Sequence, residues 1–164
     1  MPKVNTNVPA VWRDLVTDVR TSTEGPLYVL GQYREEDGKG YRYFQFDNGT
    51  ANLTLAANQP LACVDSDQWI LTTDISDSAA NLVAGVAVSV VADGGYGWCQ
   101  TYGQGTVATD GDDDVAKGDA IIYGADAVTE MVAAGTAPTN KVIGWATAAD
   151  VDAANTVALF IDLE

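Results

Sequence analysis

The chain has 164 residues, with eight lysines and arginines, 23 aspartates and glutamates and no histidine, so its net charge is −15. This length fits one ordinary domain, and a hydrophobic content of 47% excludes a disordered acidic tail. The negative charge disfavours a nucleic-acid-binding surface, and the lack of histidine removes the commonest general base and a common zinc ligand. We therefore expect a folded acidic protein that is not an enzyme and holds no cofactor or metal.

The N-terminal residues show no signal-peptide pattern, because charged side chains such as Arg13 and Asp14 interrupt the apolar positions. The longest apolar stretch, over residues 82–91, is far shorter than the ~20 residues of a membrane span. The sequence therefore predicts synthesis in a cytoplasm without export by a cleavable signal. Cys63 and Cys99 are interpreted as two buried thiols rather than a disulfide, which the sequence alone leaves open.

Residues 1–25 differ from the rest of the chain and are predicted to form an arm with one short amphipathic helix. Four apolar residues recur at helical spacing there, and the segment ends at Gly25-Pro26. Such a helix either packs on its own domain or forms an arm that contacts a neighbouring subunit. Under the second reading, the candidate interface residues are Trp12, Leu15, Val16, Val19, Arg13 and Arg20.

From Leu27 onward the apolar pattern changes to the two-residue period of strands, with turn residues every 8–12 positions. The first pair, 27–34 and 41–46, encloses an Asp37-Gly38 turn and is predicted to be a β-hairpin. Further strands are predicted at 61–64, 69–73, 82–91, 96–101, 106–108, 120–123, 128–133, 142–147 and 157–163. The predicted fold is all-β, a compact barrel or sandwich of short strands over residues 26–164, preceded by the short helix or arm.

Two motifs suggest ligands but are better explained by structure. Residues 110–114 are rich in aspartate but lack the spacing of an EF-hand loop, so a solvated turn is preferred to a calcium site. Residues 103–108 fit a dinucleotide-binding pattern only superficially, because another turn follows where a helix is needed. A hydrolase with two catalytic carboxylates stays a minor alternative.

Three aromatic residues define a second candidate site. Tyr96, Trp98 and Tyr102 could form a surface on which sugar rings stack, with Tyr96 and Trp98 on one face of a strand. Core or subunit-interface packing explains the same residues equally well. A carbohydrate-binding or adhesive β-domain is therefore the alternative function.

The second half of the chain contains an ordered set of short motifs. These are Asn81–Ala87 with its Ala-Gly-Val-Ala, Tyr96–Gln100, Val115–Ala120 with Gly-Asp-Ala, Val142–Ala146 with Ile-Gly-Trp-Ala, and the apolar Val157–Leu163. In this order they resemble the capsid cement, or head decoration, proteins of tailed bacteriophages. The hairpin around Tyr41 resembles the N-terminal half of the same family. The resemblance covers most of the chain from about residue 27.

The resemblance implies a β-rich homotrimer on the outer capsid surface of a virion, made in the bacterial cytoplasm. Its expected partner is the major capsid protein, whose subunits it would bridge and so stabilise, with no contact to nucleic acid or membrane. The charge distribution fits this expectation. Residues 1–42 hold six basic and six acidic side chains, whereas residues 43–164 hold two and 17. The neutral N-terminal end is therefore expected to meet protein, and the acidic body to face solvent.

Overall fold

The computed structural model describes residues 15–49, 53–65, 67–73, 83–109, 115–123, 129–132, 142–149 and 156–163. Its twelve strands are β1 (Tyr33–Glu36), β2 (Lys39–Phe46), β3 (Thr54–Leu55), β4 (Pro60–Asp65), β5 (Ile70–Thr72), β6 (Val83–Ala87), β7 (Val91–Ala92), β8 (Tyr96–Ala108), β9 (Ala120–Tyr123), β10 (Thr129–Val132), β11 (Val142–Ala146) and β12 (Thr156–Asp162). The all-β prediction is confirmed. Among these residues, no helix is long and apolar enough to cross a membrane.

The centre of the molecule is a closed barrel of five strands. Ten strands form one sheet in the order β1-β2-β5-β4-β6-β8-β12-β11-β9-β10, and an extra pairing between β2 and β8 closes the ring. β2 and β5 run parallel, while the other neighbours in this sheet are antiparallel. β3 and β7 form a separate short ladder.

Two apolar clusters follow from the alternation of side chains along these strands. The barrel core draws on each of its five strands and consists of Phe44, Phe46, Leu55, Leu61, Leu71, Ala84, Ala87, Val91 and Cys99. The sheet core lies between β4 and β6 of the barrel and the strands beyond β8, and consists of Ala62, Val83, Val86, Val107, Val115, Ile121, Ile143, Ala146, Val157, Leu159 and Ile161. Large side chains buried in such clusters each stabilise the fold by about 1.5–3 kcal/mol.

The β1–β2 hairpin forms as the sequence predicts, around a two-residue turn. Asp37 and Gly38 have φ values of 53° and 73°, the left-handed conformation that this turn requires at both central positions. The predicted strand over 27–34 is wrong in most of its length, because β1 begins only at Tyr33. Tyr43 exchanges backbone hydrogen bonds with Gly31 and Gln32, and residues 27–31 form a bend and a turn instead of a strand.

The predicted helix is not formed over residues 15–25, which instead contain two turns and one β-bridge. The Asp18 carboxylate accepts a hydrogen bond from the Leu15 backbone N–H at 2.8 Å and holds the first turn. Arg20 then pairs with Tyr96 of β8, which a continuing helix would prevent. The division of the chain at residue 25 stays a prediction, and the predicted turn at Asp110–Asp114 lies outside the described residues.

Candidate functional site

The third apolar cluster, here called the aromatic cluster, lies on the other side of β2 from the barrel core. Tyr41, Tyr43 and Trp98 form its buried centre. The Trp98 ring lies 5.1 Å from Tyr43 and 5.3 Å from Tyr28, at tilted angles. Arg34 is also buried here, 5.8 Å above the Trp98 ring, and pairs with Glu36 at 2.7 Å. The cluster therefore combines packed aromatic rings with one buried cation.

Residues 15–30, here called the cover segment, lie over the aromatic cluster. Val16, Tyr28 and Leu30 are half-buried against it. Backbone hydrogen bonds join Arg20 and Tyr96 in both directions, at 3.0 and 2.8 Å. At its two ends the segment is tied by the Ser89 hydroxyl, which donates to the Thr17 carbonyl at 2.9 Å, and by the Leu27 N–H, which donates to the Tyr43 hydroxyl at 3.2 Å. The segment is thus bound to the body of the protein along its length.

A second turn in the cover segment is held by Glu24. Its carboxylate accepts hydrogen bonds from the Thr21 backbone N–H and hydroxyl, both at 2.9 Å. These bonds lower the pKa of Glu24, with a smaller contribution from the charge of Arg20. The carboxylates of Asp18 and Glu24 therefore each hold a turn of the cover segment.

A cleft of about 450 Å³ opens between the cover segment and the aromatic cluster. Tyr28, Tyr43 and Trp98 contribute aromatic surface to its wall, and Val19 and Leu27 stand at its exposed side; the other lining residues are Thr17, Asp18, Arg20 and Glu24. The Nε atom of Arg20 is buried and has no hydrogen-bond partner among the described residues. The cleft therefore combines aromatic surface with several polar and charged groups, a lining that suits an amphipathic side chain.

The predicted interface residues divide into three groups. Leu15 and Val19 are 64% and 46% exposed, so they are open to a partner. Val16 and Arg20 are half-buried, the first on the aromatic cluster and the second at the cleft. Trp12 and Arg13 lie outside the described residues. The cover segment also exposes Leu27 by 46% and Val29 by 77%, which the sequence interpretation had placed in a strand.

The predicted aromatic surface of Tyr96, Trp98 and Tyr102 is not formed as one site. Trp98 is 2% exposed, because the cover segment lies over it. Tyr96 is half-buried and stacks on Tyr43 at 6.4 Å. Tyr102 belongs to a different surface, where its ring meets Phe160 edge to face at 5.1 Å. Packing in the aromatic cluster, the other reading of these residues, is correct for Tyr96 and Trp98.

Neither cysteine forms a disulfide, and the prediction of two buried thiols is correct for Cys99, whereas Cys63 is half-buried. Burial raises the pKa of Cys99 to about 12, and its Sγ donates a weak hydrogen bond to the Arg42 carbonyl at 3.5 Å. Such a thiol is not a nucleophile at neutral pH. Among the described residues, no group of three or more His, Cys, Asp or Glu side chains is placed to hold a metal ion.

Comparison with known proteins gives one solved structure to report. No protein-family model matches the chain. No curated protein matches it at a significant level. The N base of the head fiber protein gp8.5 of bacteriophage phi29 is 19% identical in sequence, with a TM-score of 0.47 over 76% of this chain and 94% of that chain.

Proposed function

We propose that this protein is a structural, non-catalytic component of a phage virion. In this proposal it binds the outer capsid surface as a homotrimer and stabilises the shell by bridging major capsid protein subunits. The ordered motifs between Asn81 and Leu163, with their resemblance to capsid cement proteins, support the class of function. The cover segment supports the mode of attachment.

The observation that carries the proposal is the exposure of large apolar side chains on a segment that is itself held firmly. Leu15, Val19, Leu27 and Val29 are all at least 46% exposed and lie within residues 15–30. Val19 and Leu27 also line the same cleft, and exposed apolar side chains that share a surface mark protein-binding sites. Because backbone bonds already order the segment, a partner would gain apolar contact without the entropic cost of folding it.

The cleft beside these residues adds a place for an anchoring side chain of the partner. The Tyr43 and Trp98 rings in its wall are buried and already in place, as in the pockets that receive central interface residues. The cover segment belongs to residues 1–42, which hold six basic and six acidic side chains, whereas residues 43–164 carry the whole charge of −15. The acidic remainder would face solvent and repel DNA.

The experiment compares capsid binding by the wild type and a double variant, Leu15→Asp with Val19→Asp. Undecorated capsids of the virus whose genome encodes the chain are mixed with each protein and sedimented. Both side chains would be buried in the complex with the capsid, so losing their apolar contacts is expected to weaken binding at least about tenfold. Val64→Asp, on β4 and 53% exposed, is the matched control and should bind like the wild type.

The thermal midpoint of the double variant should stay close to that of the wild type, since both side chains are exposed. Capsid binding equal to the wild type, or an equal loss in the Val64 variant, would contradict attachment through the cover segment. Native mass spectrometry tests the oligomeric state separately, and a trimer is expected. A protein that is strictly monomeric and also fails to bind capsids would contradict the whole proposal.

A further inference from the structure

Four aromatic side chains form a continuous row across the sheet, here called the aromatic row: Tyr33, Tyr102, Phe160 and Trp145. Tyr102 and Phe160 meet edge to face at 5.1 Å. Trp145 of β11 is directly opposite Phe160 of β12, so their side chains are neighbours on one face. A Cβ added at Gly40 would lie 2.7 Å from the Tyr33 hydroxyl and 3.2 Å from the Tyr102 Cβ. Tyr33 and Tyr102 therefore both lie against Gly40, beside each other.

The row is accessible along its length. Tyr33, Tyr102 and Trp145 are 39%, 39% and 45% exposed, and Phe160 is half-buried between two of them. Gly40 separates the two tyrosines, and Ala120 is the neighbour of Trp145 on the side away from Phe160. These small residues add little bulk beside the aromatic rings. The row crosses five strands, which corresponds to roughly 19 Å at the usual spacing between strands.

Two hydrogen-bonding side chains stand within the row. Gln104 is directly opposite Phe160, and Asp162 is directly opposite Tyr102. Both are exposed, and neither side chain takes part in a hydrogen bond or ion pair within the described residues. The nearby cation, Arg42, is already engaged: its guanidinium lies 5.4 Å from the Tyr33 ring and 5.0 Å from the Trp69 ring and donates to the Gly31 carbonyl.

We propose that the aromatic row is a binding site for a neutral carbohydrate chain. The C–H faces of sugar rings stack on exposed aromatic rings, while sugar hydroxyls donate to the Asp162 carboxylate and bond with the Gln104 amide. The charge of the body disfavours anionic ligands, because residues 43–164 hold 17 acidic and only two basic side chains. An elongated ligand of repeating units suits a row that extends over several strands.

This site is separate from the cover segment and does not depend on the proposed function. Along β2, Gly40 and Arg42 face the aromatic row, whereas Tyr41 and Tyr43 face the aromatic cluster. A protein partner at the cover segment and a carbohydrate at the row could therefore be bound together.

The test measures binding of neutral hexasaccharides (cellohexaose, chitohexaose and mannohexaose) by calorimetry and tryptophan fluorescence, with hexagalacturonate as the anionic probe. We expect at least one neutral probe to bind and hexagalacturonate to bind more weakly. Trp145→Ala and Tyr102→Ala should each weaken binding about tenfold. Val64→Ala, which removes an exposed apolar side chain elsewhere, should not change it.

Three results would overturn the proposal. The first is that no neutral probe binds at millimolar concentration; the second is that Trp145→Ala binds as tightly as the wild type while its thermal midpoint is unchanged. The third is that Trp145→Ala abolishes self-association in sedimentation, which would assign the row to contact with a second copy of this chain. None of these results bears on capsid attachment through Leu15 and Val19.

Discussion

Cys99 shows how closely one residue of β8 is enclosed. Its side chain lies in the barrel core with no exposed surface. A Cβ at Gly85, on the neighbouring β6, would lie 2.6 Å from its Sγ, so the two strands touch at this position. The ionised thiolate is therefore excluded from the folded state, and the pKa of Cys99 rises from 9.0 to about 12.

This raised pKa predicts a loss of stability at high pH with a defined sign. Between pH 9 and 12 the folded protein keeps the Cys99 proton, while the unfolded chain releases it. The folded state then binds more protons, so the free energy of unfolding falls with rising pH, by up to about 1.4 kcal/mol per pH unit. Below pH 9 the contribution is constant.

Urea denaturation of the wild type and Cys99→Ala, from pH 8 to 10.5, measures this contribution. Tyrosines and lysines titrate in both proteins, so the difference between the two free energies of unfolding isolates the thiol. The wild type should lose stability relative to the variant above pH 9. Parallel curves would contradict an enclosed Cys99, and Cys63→Ala, at a half-buried position, provides the control.

Trp98 marks the limit of sequence reasoning at the candidate site. Strand alternation correctly puts Tyr96 and Trp98 on one face, since both belong to the aromatic cluster. It does not tell which face is covered, because the cover comes from residues 15–30 through long-range contacts. The apolar spacing of Leu15, Val16 and Val19 predicts a helix, whereas these residues belong to the cover segment, which forms turns instead.

At the level of strands, the contact between β11 and β12 depends on Gly144. A Cβ at this position would clash with the Phe160 carbonyl oxygen and lie 2.8 Å from the Phe160 carbonyl carbon. Both atoms belong to the backbone of β12, so they cannot move without disturbing the ladder that pairs Gly144 with Ile161. The sheet core behind them includes Ile143 and Ile161.

Gly144→Ala is therefore expected to lower the free energy of unfolding by about 3 kcal/mol, at the upper end of overpacking costs. Gly118→Ala is the control, since nothing lies within 4 Å of a Cβ there and only its φ of +96° opposes alanine. That control should cost about 1–2 kcal/mol. Equal losses in chemical denaturation would show that β11 and β12 are not in close contact at Gly144.

The strands were predictable where local chemistry decides them. The Asp37-Gly38 turn specified the first hairpin, and β9 and β12 lie within one residue of their predicted bounds. β8 was predicted as two strands, 96–101 and 106–108, separated by Gly103-Gln104-Gly105, yet it is continuous over 13 residues. Gly103 is buried there with a φ of +93°, and a Cβ would lie 2.7 Å from the Gly38 carbonyl, so the glycine permits a close approach between β8 and the β1–β2 turn rather than a break.

At the scale of the whole molecule, the two candidate binding surfaces, the cover segment and the aromatic row, lie on opposite sides of β2. The cover segment lies in the neutral N-terminal part of the sequence, and much of the aromatic row is built on strands of the acidic remainder. A deletion of the whole cover segment would uncover Tyr43 and Trp98 and so mix folding with attachment. Substitutions at its exposed residues, such as the Leu15→Asp and Val19→Asp pair, keep the two effects apart.

The charge of the whole chain predicts how salt affects its stability. Residues 43–164 hold 17 acidic and two basic side chains, so folding brings many like charges together. Raising NaCl from about 0.01 M to about 1 M shortens the screening length from ~30 Å to ~3 Å and weakens this repulsion. The ion pair between Arg34 and Glu36 is screened as well, but Arg34 is buried, so that loss is smaller.

We expect the thermal midpoint at pH 7 to rise by about 2–4 °C, equivalent to about 1 kcal/mol for a chain of this size. Near pH 4.1, where the net charge approaches zero, the same addition of salt should change the midpoint much less. A midpoint that falls or stays constant with salt at pH 7 would show that local ion pairs outweigh the general repulsion.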